Sequence, residues 1–542
     1  MIEKNSNRRV ESSLKRTRFI GHLGLVVGVF KELKIDKLID EKLPKARDHT
    51  VPHSVCILAM ILNGLGFVDQ RLYPFPDFFK NISIERLFGE GVTKEDLNQY
   101  VIGETLDIIV KYGPTKLFTE ITLHVMSHLP IPVHCLHSDT TSVSVYGDYD
   151  DEDTDSIDIT FGVPKNGRWD LKQFVLSLIV NQHGIPLFMN THSGNASDKS
   201  IIPESINALK SVLRPESKVY YVADSSFYTD NNIRNIGKSL WISRVPATIN
   251  EAKELIASNL SLKTLKNDER YSFYQTFVEY GGVKQKWVLL LSHKMKEKKE
   301  VTLRTKIDKE IEKAEKSLKK LKGKDFFCEE DALKAAEEWT QEFPSIILDK
   351  ASVKGVTKRE QGKKGRPSKD ENLEIYYRIE GSIKVNDAFI LKEMDKIGLF
   401  ILASNDISLS PEEMLKFYKG QDRVEKGFRF LKSDTFSISK VYLKNKSRME
   451  ALTMIMVLCL MIYSIAEWKL RLKLEEENET VPDQKGKPTK KPTMRWIFFK
   501  FQGITELFTQ KEGISESEVL NMEEVNWKIL SIMGEQYENI YL

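Results

Sequence analysis

The sequence is short of cysteine, proline and glycine, with 4, 18 and 29 respectively among 542 residues. Cys56, Cys135, Cys328 and Cys459 stand far apart with no Cys-x-x-Cys pair. That excludes a disulfide framework and a structural zinc site, and it fits a reducing compartment. So little glycine and proline excludes a fibrous or low-complexity chain. Net charge is nearly absent as well: 81 Lys+Arg against 78 Asp+Glu leave +3, so bulk charge names no partner. No secretory leader is visible, because residues 1–18 are polar and carry Lys4, Arg8, Arg9, Lys15, Arg16 and Arg18. The longest apolar run, residues 451–466, is shorter than the roughly 20 residues that span a bilayer, so it reads as a buried core helix. A cytoplasmic protein without a membrane segment is expected. What the chain does have is 41% apolar residues, 10% aromatics and 29% charged residues, enough for several cores.

Hydrophobic periodicity divides the chain. Residues 1–128 read as an all-α region, with apolar positions recurring at threes and fours in HLGLVVGVFKELKIDKLID and VCILAMILNGLGF. From residue 129 the period becomes two. PVHCLHSDTTSVSVYG alternates, and QFVLSLIV and IPLFMNT flank Asn181–Gln182–His183–Gly184 as hairpin arms do. A helix in SIIPESINALKSVL and buried strands VYYVA and LWISRV complete an α/β layer over 129–249. Residues 250–395 form an insertion of mixed strands and helices. Within it, a charged helix around 296–322 has a narrow apolar stripe suited to packing on a second helix near 333–343. The α/β pattern resumes over 396–470. A helical, partly basic tail over 471–542 is expected.

Three acids sit where the pattern makes acids expensive. Asp139 lies within an otherwise apolar or hydroxylated strand, and Asp224 ends the run 219–223 at a strand-to-loop exit. In open α/β sheets, strand carboxyl ends are where sites gather. Ser410-Pro-Glu-Glu413 has the form of a capping box with proline at the first helical position, and so starts a helix. On one continuous wheel from Tyr418, at ~100° per residue, Gln421, Glu425 and Lys432 fall at about 300°, 340° and 320°. They would therefore share a face, with Arg423 roughly opposite. Carboxylate oxygens suit Mg²⁺, and three converging carboxylates can hold two ions about 3.5–4 Å apart for phosphodiester cleavage. Each acid alone also fits a turn, cap or solvated position.

These residues carry a resemblance. HSDTTS, GIPLFMNTHSGNASD, YVADSSFYTDN and YKGQDRVEKGFRFLKSD resemble bacterial insertion-sequence transposases of the DDE type. The nearest group is the insertion-sequence-four-like one, whose catalytic Glu lies in a Tyr-x2-Arg-x3-Glu-x6-Lys signature. GVPKNGRWDLKQ resembles that group's segment after the first Asp, and the helical N-terminal region resembles the domain preceding it. The resemblance implies a ribonuclease-H-like core with Asp139 on the first strand, Asp224 after the fourth and Glu425 on a late helix. It also implies that these three acids are both the catalytic residues and the ligands of two Mg²⁺ ions, for which Mn²⁺ can substitute. The implied partners are DNA, as terminal inverted repeats and target, and a second copy of the chain. Tyr418, Gln421 and Lys432 would contact the ends, with Gln421 standing where the group has Arg. Metal-dependent cleavage and strand transfer are the expected reactions. A DNA-binding protein that keeps the fold without the reaction, and a nuclease that cuts without joining, stay open.

Other features are weaker. The acidic loop 148–158 departs from a calcium-loop pattern. His124 and His128 lack the adjoining Glu of a zinc-peptidase motif. Arg366, in the basic Gly365-Arg366-Pro367, resembles the core of a minor-groove hook and is a candidate DNA contact.

Overall fold

The computed structural model describes residues 14–45, 50–66, 75–149, 156–213, 218–258, 260–358, 374–433, 445–511 and 514–542. Arg366 and most of the acidic loop lie outside the described residues. The chain opens with a strand, β1 (Leu14–Phe19), and continues with α1 (Leu23–Glu32), α2 (Ile35–Lys42), α3 (His53–Leu65), α4 (Phe75–Phe78), α5 (Ile84–Phe88), α6 (Gln99–Tyr112) and α7 (Pro114–His128). Local signals set the boundaries. The Asn98 side chain accepts hydrogen bonds from the Tyr100 and Val101 amides to start α6, and Pro114 occupies the first turn of α7. His124 Nε2 lies 3.0 Å from the Leu33 carbonyl oxygen, a structural contact within this helical region.

The α/β region contains a mixed nine-stranded sheet. It is made by β2 (Cys135–Val145), β3 (Lys172–Asn181), β4 (Pro186–Ser193), β5 (Tyr220–Ala223), β6 (Leu240–Val245), β7 (Lys263–Thr264), β8 (Tyr271–Tyr280), β9 (Val283–Ser292) and β12 (Leu399–Ser404), in the order β4-β3-β2-β5-β6-β12-β9-β8-β7. The β2-β3-β4 arms are antiparallel, and the β3–β4 turn is held by Asn181 Oδ1, which accepts from the His183 and Ile185 amides. α8 (Asp198–Val212) then carries the chain back to β5, which runs parallel to β2, and β5 in turn runs parallel to β6. This meander followed by parallel crossovers is the ribonuclease-H-like arrangement. α9 (Asp230–Asn235) and α10 (Asn250–Ala257) lie between later strands.

β8 and β9 extend the sheet even though they fall within 250–395. The excursion away from it consists of α11 (His293–Lys322), α12 (Glu329–Glu342) and a two-stranded ribbon, β10 (Ile346–Lys358) with β11 (Glu374–Val385). Ala314 and Leu318 of α11 are buried with Trp339 of α12, Phe343 and Ile346, so the two helices pack as a hairpin. α13 (Asp387–Lys396) leads back to β12.

After β12 the expected single helix from Pro411 is instead two, α14 (Pro411–Lys419) and α15 (Asp422–Leu431). The capping box at Ser410 and Glu413 does start α14. The break falls where Gly420 crosses β2: a Cβ there would stand 2.4 Å from the His137 ring. Next comes α16 (Lys446–Glu476), the one helix among the described residues long and apolar enough to cross a membrane; 83% of its apolar window is buried inside the protein. It is the hub on which α1, α3, α6, β4 and α18 (Glu524–Met533) pack.

The tail is not purely helical. It contains the small ribbon β13 (Val481–Pro482) and β14 (Pro488–Thr489), α17 (Met494–Phe501), then the hairpin β15 (Thr505–Lys511) and β16 (Ile514–Leu520), before α18 and α19 (Glu535–Tyr541). β15 pairs with β1, so the first described residues and the tail share one sheet. Ile514–Leu520 is polar through its middle, with Glu516, Ser517 and Glu518 all exposed, so no apolar period marks it as a strand.

Candidate active site

Asp139 and Asp224 meet through strand register. β2 and β5 are parallel, with Cys135 opposite Tyr220 and His137 opposite Val222. Continuing two residues brings Asp139 level with Asp224 on the adjacent strand, at the carboxyl end of β5. Burial pushes the Asp139 carboxyl up to about 6; Lys165 opposes this, while the negative charges of Asp224 and Asp198 add to it. Its Oδ1 accepts from the Thr140 amide at 2.7 Å. Asp224 is fixed by a turn of its own: the Ser226 amide and hydroxyl donate to Oδ1 at 2.9 and 2.5 Å, and Ser243 Oγ donates to its backbone oxygen at 2.8 Å. Oδ2 of Asp224 accepts no hydrogen bond from the described residues.

Two ammonium groups flank this pair. Lys165 Nζ donates to the Thr140 carbonyl at 2.6 Å and lies 3.1 Å from Asp198 Oδ2 and 3.9 Å from Asp139 Oδ1. Thr140 Oγ1 in turn donates to Asp198 Oδ1 at 2.5 Å. Lys432 Nζ donates to Thr141 Oγ1 at 2.6 Å, and burial, followed by the charge on Lys165, pulls it down to about 8. Because side chains alternate along a strand, Thr141 shares the face of Asp139 while Thr140 points to the other. A cleft of about 390 Å³ lies on the Thr140 face of β2, lined in part by Ser142, Lys165, Asp198 and Ser226 and not by the two paired aspartates.

The turn at Gly420 separates Tyr418, on α14, from Gln421, Glu425 and Lys432, which keep their helical register along α15. Gln421 caps α15 and is buried, donating from Nε2 to the Ser138 carbonyl at 2.9 Å, so it ties the helix to β2. It does not share an exposed face with Glu425. Its Oε1 and His137 Nδ1 are both buried without a hydrogen-bond partner of good geometry. Burial and then Arg423 hold His137 down at about 4, so it stays neutral beneath Gly420. Lys432 follows the last turn of α15 as its cap.

Glu425 is exposed in the first turn of α15. Tyr418 is half-buried, and its hydroxyl is pushed up by burial, with the charges of Asp224 and Glu425 adding to the rise and Arg244 opposing it. Both acids therefore lie near one phenol. Among the described residues no group of three or more His, Cys, Asp or Glu side chains forms a ready-made metal cluster. The structure thus brings Asp139 and Asp224 together, places Lys432 beside them, and leaves Glu425 exposed on α15, near Tyr418. The donor set is hard carboxylate oxygen, with one Asp224 oxygen free and two like charges whose repulsion a cation relieves. That chemistry fits Mg²⁺ or Mn²⁺.

Sequence reasoning did not single out Lys165 or Asp198, although both fall inside stretches quoted for the resemblance. Asp198 follows the Ser197 cap of α8, where an acid is ordinary on helix-dipole grounds. Lys165 reaches β2 from a loop whose path no periodicity reveals.

Comparison with known families gives two matches. A family described as the transposase DDE domain matches residues 139–462, a span that opens at Asp139 and contains Asp224 and Glu425. A domain of unknown function (DUF4277) matches residues 15–123. No curated protein matches the chain.

Proposed function

The chain belongs to the DDE transposase family, and we propose that it cuts the ends of its own element and joins them to target DNA, with Asp139, Asp224 and Glu425 as the catalytic acids. The observation that carries this reading is the register pairing of Asp139 with Asp224 at the carboxyl edge of the sheet, between two lysines. Two Mg²⁺ ions held by the three carboxylates would supply charge neutralisation at the phosphate and a more acidic water. Asp139 and Asp224 come from adjacent strands and so fix one side of the site. Glu425 is carried by a helix tied to β2 through Gln421 and Lys432, and it would be the third carboxylate holding the ions.

In the first reaction a water oxygen attacks the end phosphodiester. The P–O3′ bond breaks, leaving a 3′-hydroxyl on one side and a 5′-phosphate on the other. In the second, the freed 3′-hydroxyl of the element attacks a target phosphodiester and displaces the target's own 3′-hydroxyl. Lys165 and Lys432 offset phosphate charge at the cleft, and Tyr418 lies where an end duplex passes. Two copies of the chain pair two ends, and the compartment is that of the chromosome, the cytoplasm.

The test uses a duplex carrying the inverted repeats that flank the gene, a supercoiled target plasmid and Mg²⁺. Wild type should nick at the repeat boundary and produce joined products, while Asp139→Asn, Asp224→Asn and Glu425→Gln each lose both by at least 1000-fold, roughly the loss expected on removing a group central to rate enhancement. Nicking without joining would identify a nuclease. Binding by all four proteins without any nicking would identify a DNA-binding protein that has kept only the fold; Gln421, in place of the signature Arg, favours that alternative.

A further inference from the structure

α11 sorts its charges by side. Measured from the buried Ile307 at ~100° per residue, Ala314 and Leu318 fall within about 20° of it, which is the face packed on α12. Lys298, Lys306, Lys309, Lys313, Lys316 and Lys320 fall between about 180° and 260°, on the far side. Glu297, Asp308, Glu312 and Glu315 gather between about 80° and 140°. Glu310, at about 300°, turns inward to accept from the Ser345 amide at 3.2 Å. The far face therefore contains lysines and no acid. All six lysines are exposed, and none makes an ion pair among the described residues. A helix that only needed solvating would intermix the signs and gain from i,i+4 pairs.

The placement of this face matters as much as its charge. β9 is antiparallel to β12, β12 is antiparallel to β6, and β6 is parallel to β5. β9 therefore points the same way as β5. α11 begins directly after Ser292, the last residue of β9, at the same sheet edge that carries Asp224. Three strand spacings separate β9 from β5, about 14 Å. From Lys298 to Lys320 the face runs about 33 Å at 1.5 Å per residue, close to one turn of B-form duplex, ~34–36 Å.

We infer that the lysine face of α11 is a binding surface for the phosphate backbone of duplex DNA, one helical turn long, leading to the carboxylate pair. The inference rests on the transposase reading for the presence of a duplex at that edge. Lysines without an aromatic or amide among them bind phosphate and read no bases, so the surface is sequence-independent. It takes duplex on either side of the cleavage point and adds affinity rather than specificity.

The test is the salt dependence of binding to a 40-base-pair duplex of random sequence, for wild type and for the variant Lys306→Gln/Lys309→Gln/Lys313→Gln/Lys316→Gln. Each phosphate that is no longer neutralised lowers the slope of log affinity against log salt by about 0.9. The variant should therefore lose up to about 3.6 from the slope and bind at least tenfold more weakly at low salt, with unchanged helix content by circular dichroism. The control Lys319→Gln/Lys322→Gln, off the face, should keep the wild-type slope. A wild-type slope in the fourfold variant overturns the inference while leaving the transposase reading intact. Absence of any salt-dependent duplex binding by wild type overturns both. Loss of binding to phosphatidylglycerol vesicles with duplex binding unchanged would assign the face to a membrane surface and overturn it as well.

Discussion

The joint between the two ends of the chain and the edge of the large sheet are built on opposite terms. At the joint, α1 meets the tail so closely that a Cβ on Gly28 would stand 2.4 Å from the Tyr537 ring. Three strong polar pairs are closed there: Lys469 with Glu32 at 2.5 Å, Tyr537 with Glu32 at 2.6 Å, and Tyr541 with the Gly21 carbonyl at 2.5 Å. At the sheet edge the polar groups are half-buried and in conflict. One aspartate is pushed up to about 6 and a lysine is pulled down to about 8, both by burial. Satisfied networks hold a fold together, whereas groups kept under electrostatic tension have chemistry to do.

The comparison breaks most visibly at Gly28. Gly28→Leu inserts a side chain where none fits, and overpacking of this kind costs about 2–3 kcal/mol. Denaturant unfolding should show that loss, while Asp139→Asn, which removes a buried charge and a repulsion, should leave the midpoint unchanged or raise it. Equal losses in both would mean the sheet edge is as structural as the joint.

An effect of comparable size, spread over a pH window, sharpens the contrast. His22 begins α1, with Nε2 lying 2.8 Å from the Leu65 carbonyl oxygen and its ring stacked on Phe498 of α17 at 4.6 Å. Burial pulls it down to about 4. The unfolded chain takes up that proton from about pH 6.5, the folded chain only near 4, so stability falls as pH drops through this window and is independent of His22 above it. The full contribution is about 3 kcal/mol. His22→Gln, which keeps a donor toward Leu65, should flatten the acid limb of unfolding between pH 6.5 and 4; an unchanged limb would place the sensitive group elsewhere.

Much of the sheet was legible because its strands are local apolar runs. LWISRV is β6 residue for residue, and Asn181–Gly184 forms the turn it resembles. The long apolar run of α16 was legible too, as a core helix, and 83% of its apolar window is buried inside the protein. The tail strands were not, because β15 completes its sheet with β1, almost the whole chain away in sequence. At the site, Asp139 and Asp224 could be found as acids out of pattern, but their adjacency depends on a register that only the β2–β5 pairing supplies. The position of Tyr418 relative to Gln421, Glu425 and Lys432 was not legible, for a definite reason. A helical wheel assumes a continuous helix, and the chain turns at Gly420, where a Cβ would stand 2.4 Å from the His137 ring of the strand underneath.

The central claim is that the paired aspartates, with Glu425, are the cation-binding centre of a transposase. Its most direct test is a Mn²⁺ titration followed by the electron paramagnetic resonance signal of the free ion, with an end duplex present. Wild type should retain Mn²⁺, Asp139→Asn and Asp224→Asn should each abolish that retention, and Glu425→Gln should lose only part of it. Retention of Mn²⁺ at wild-type strength by both aspartate variants would contradict the account.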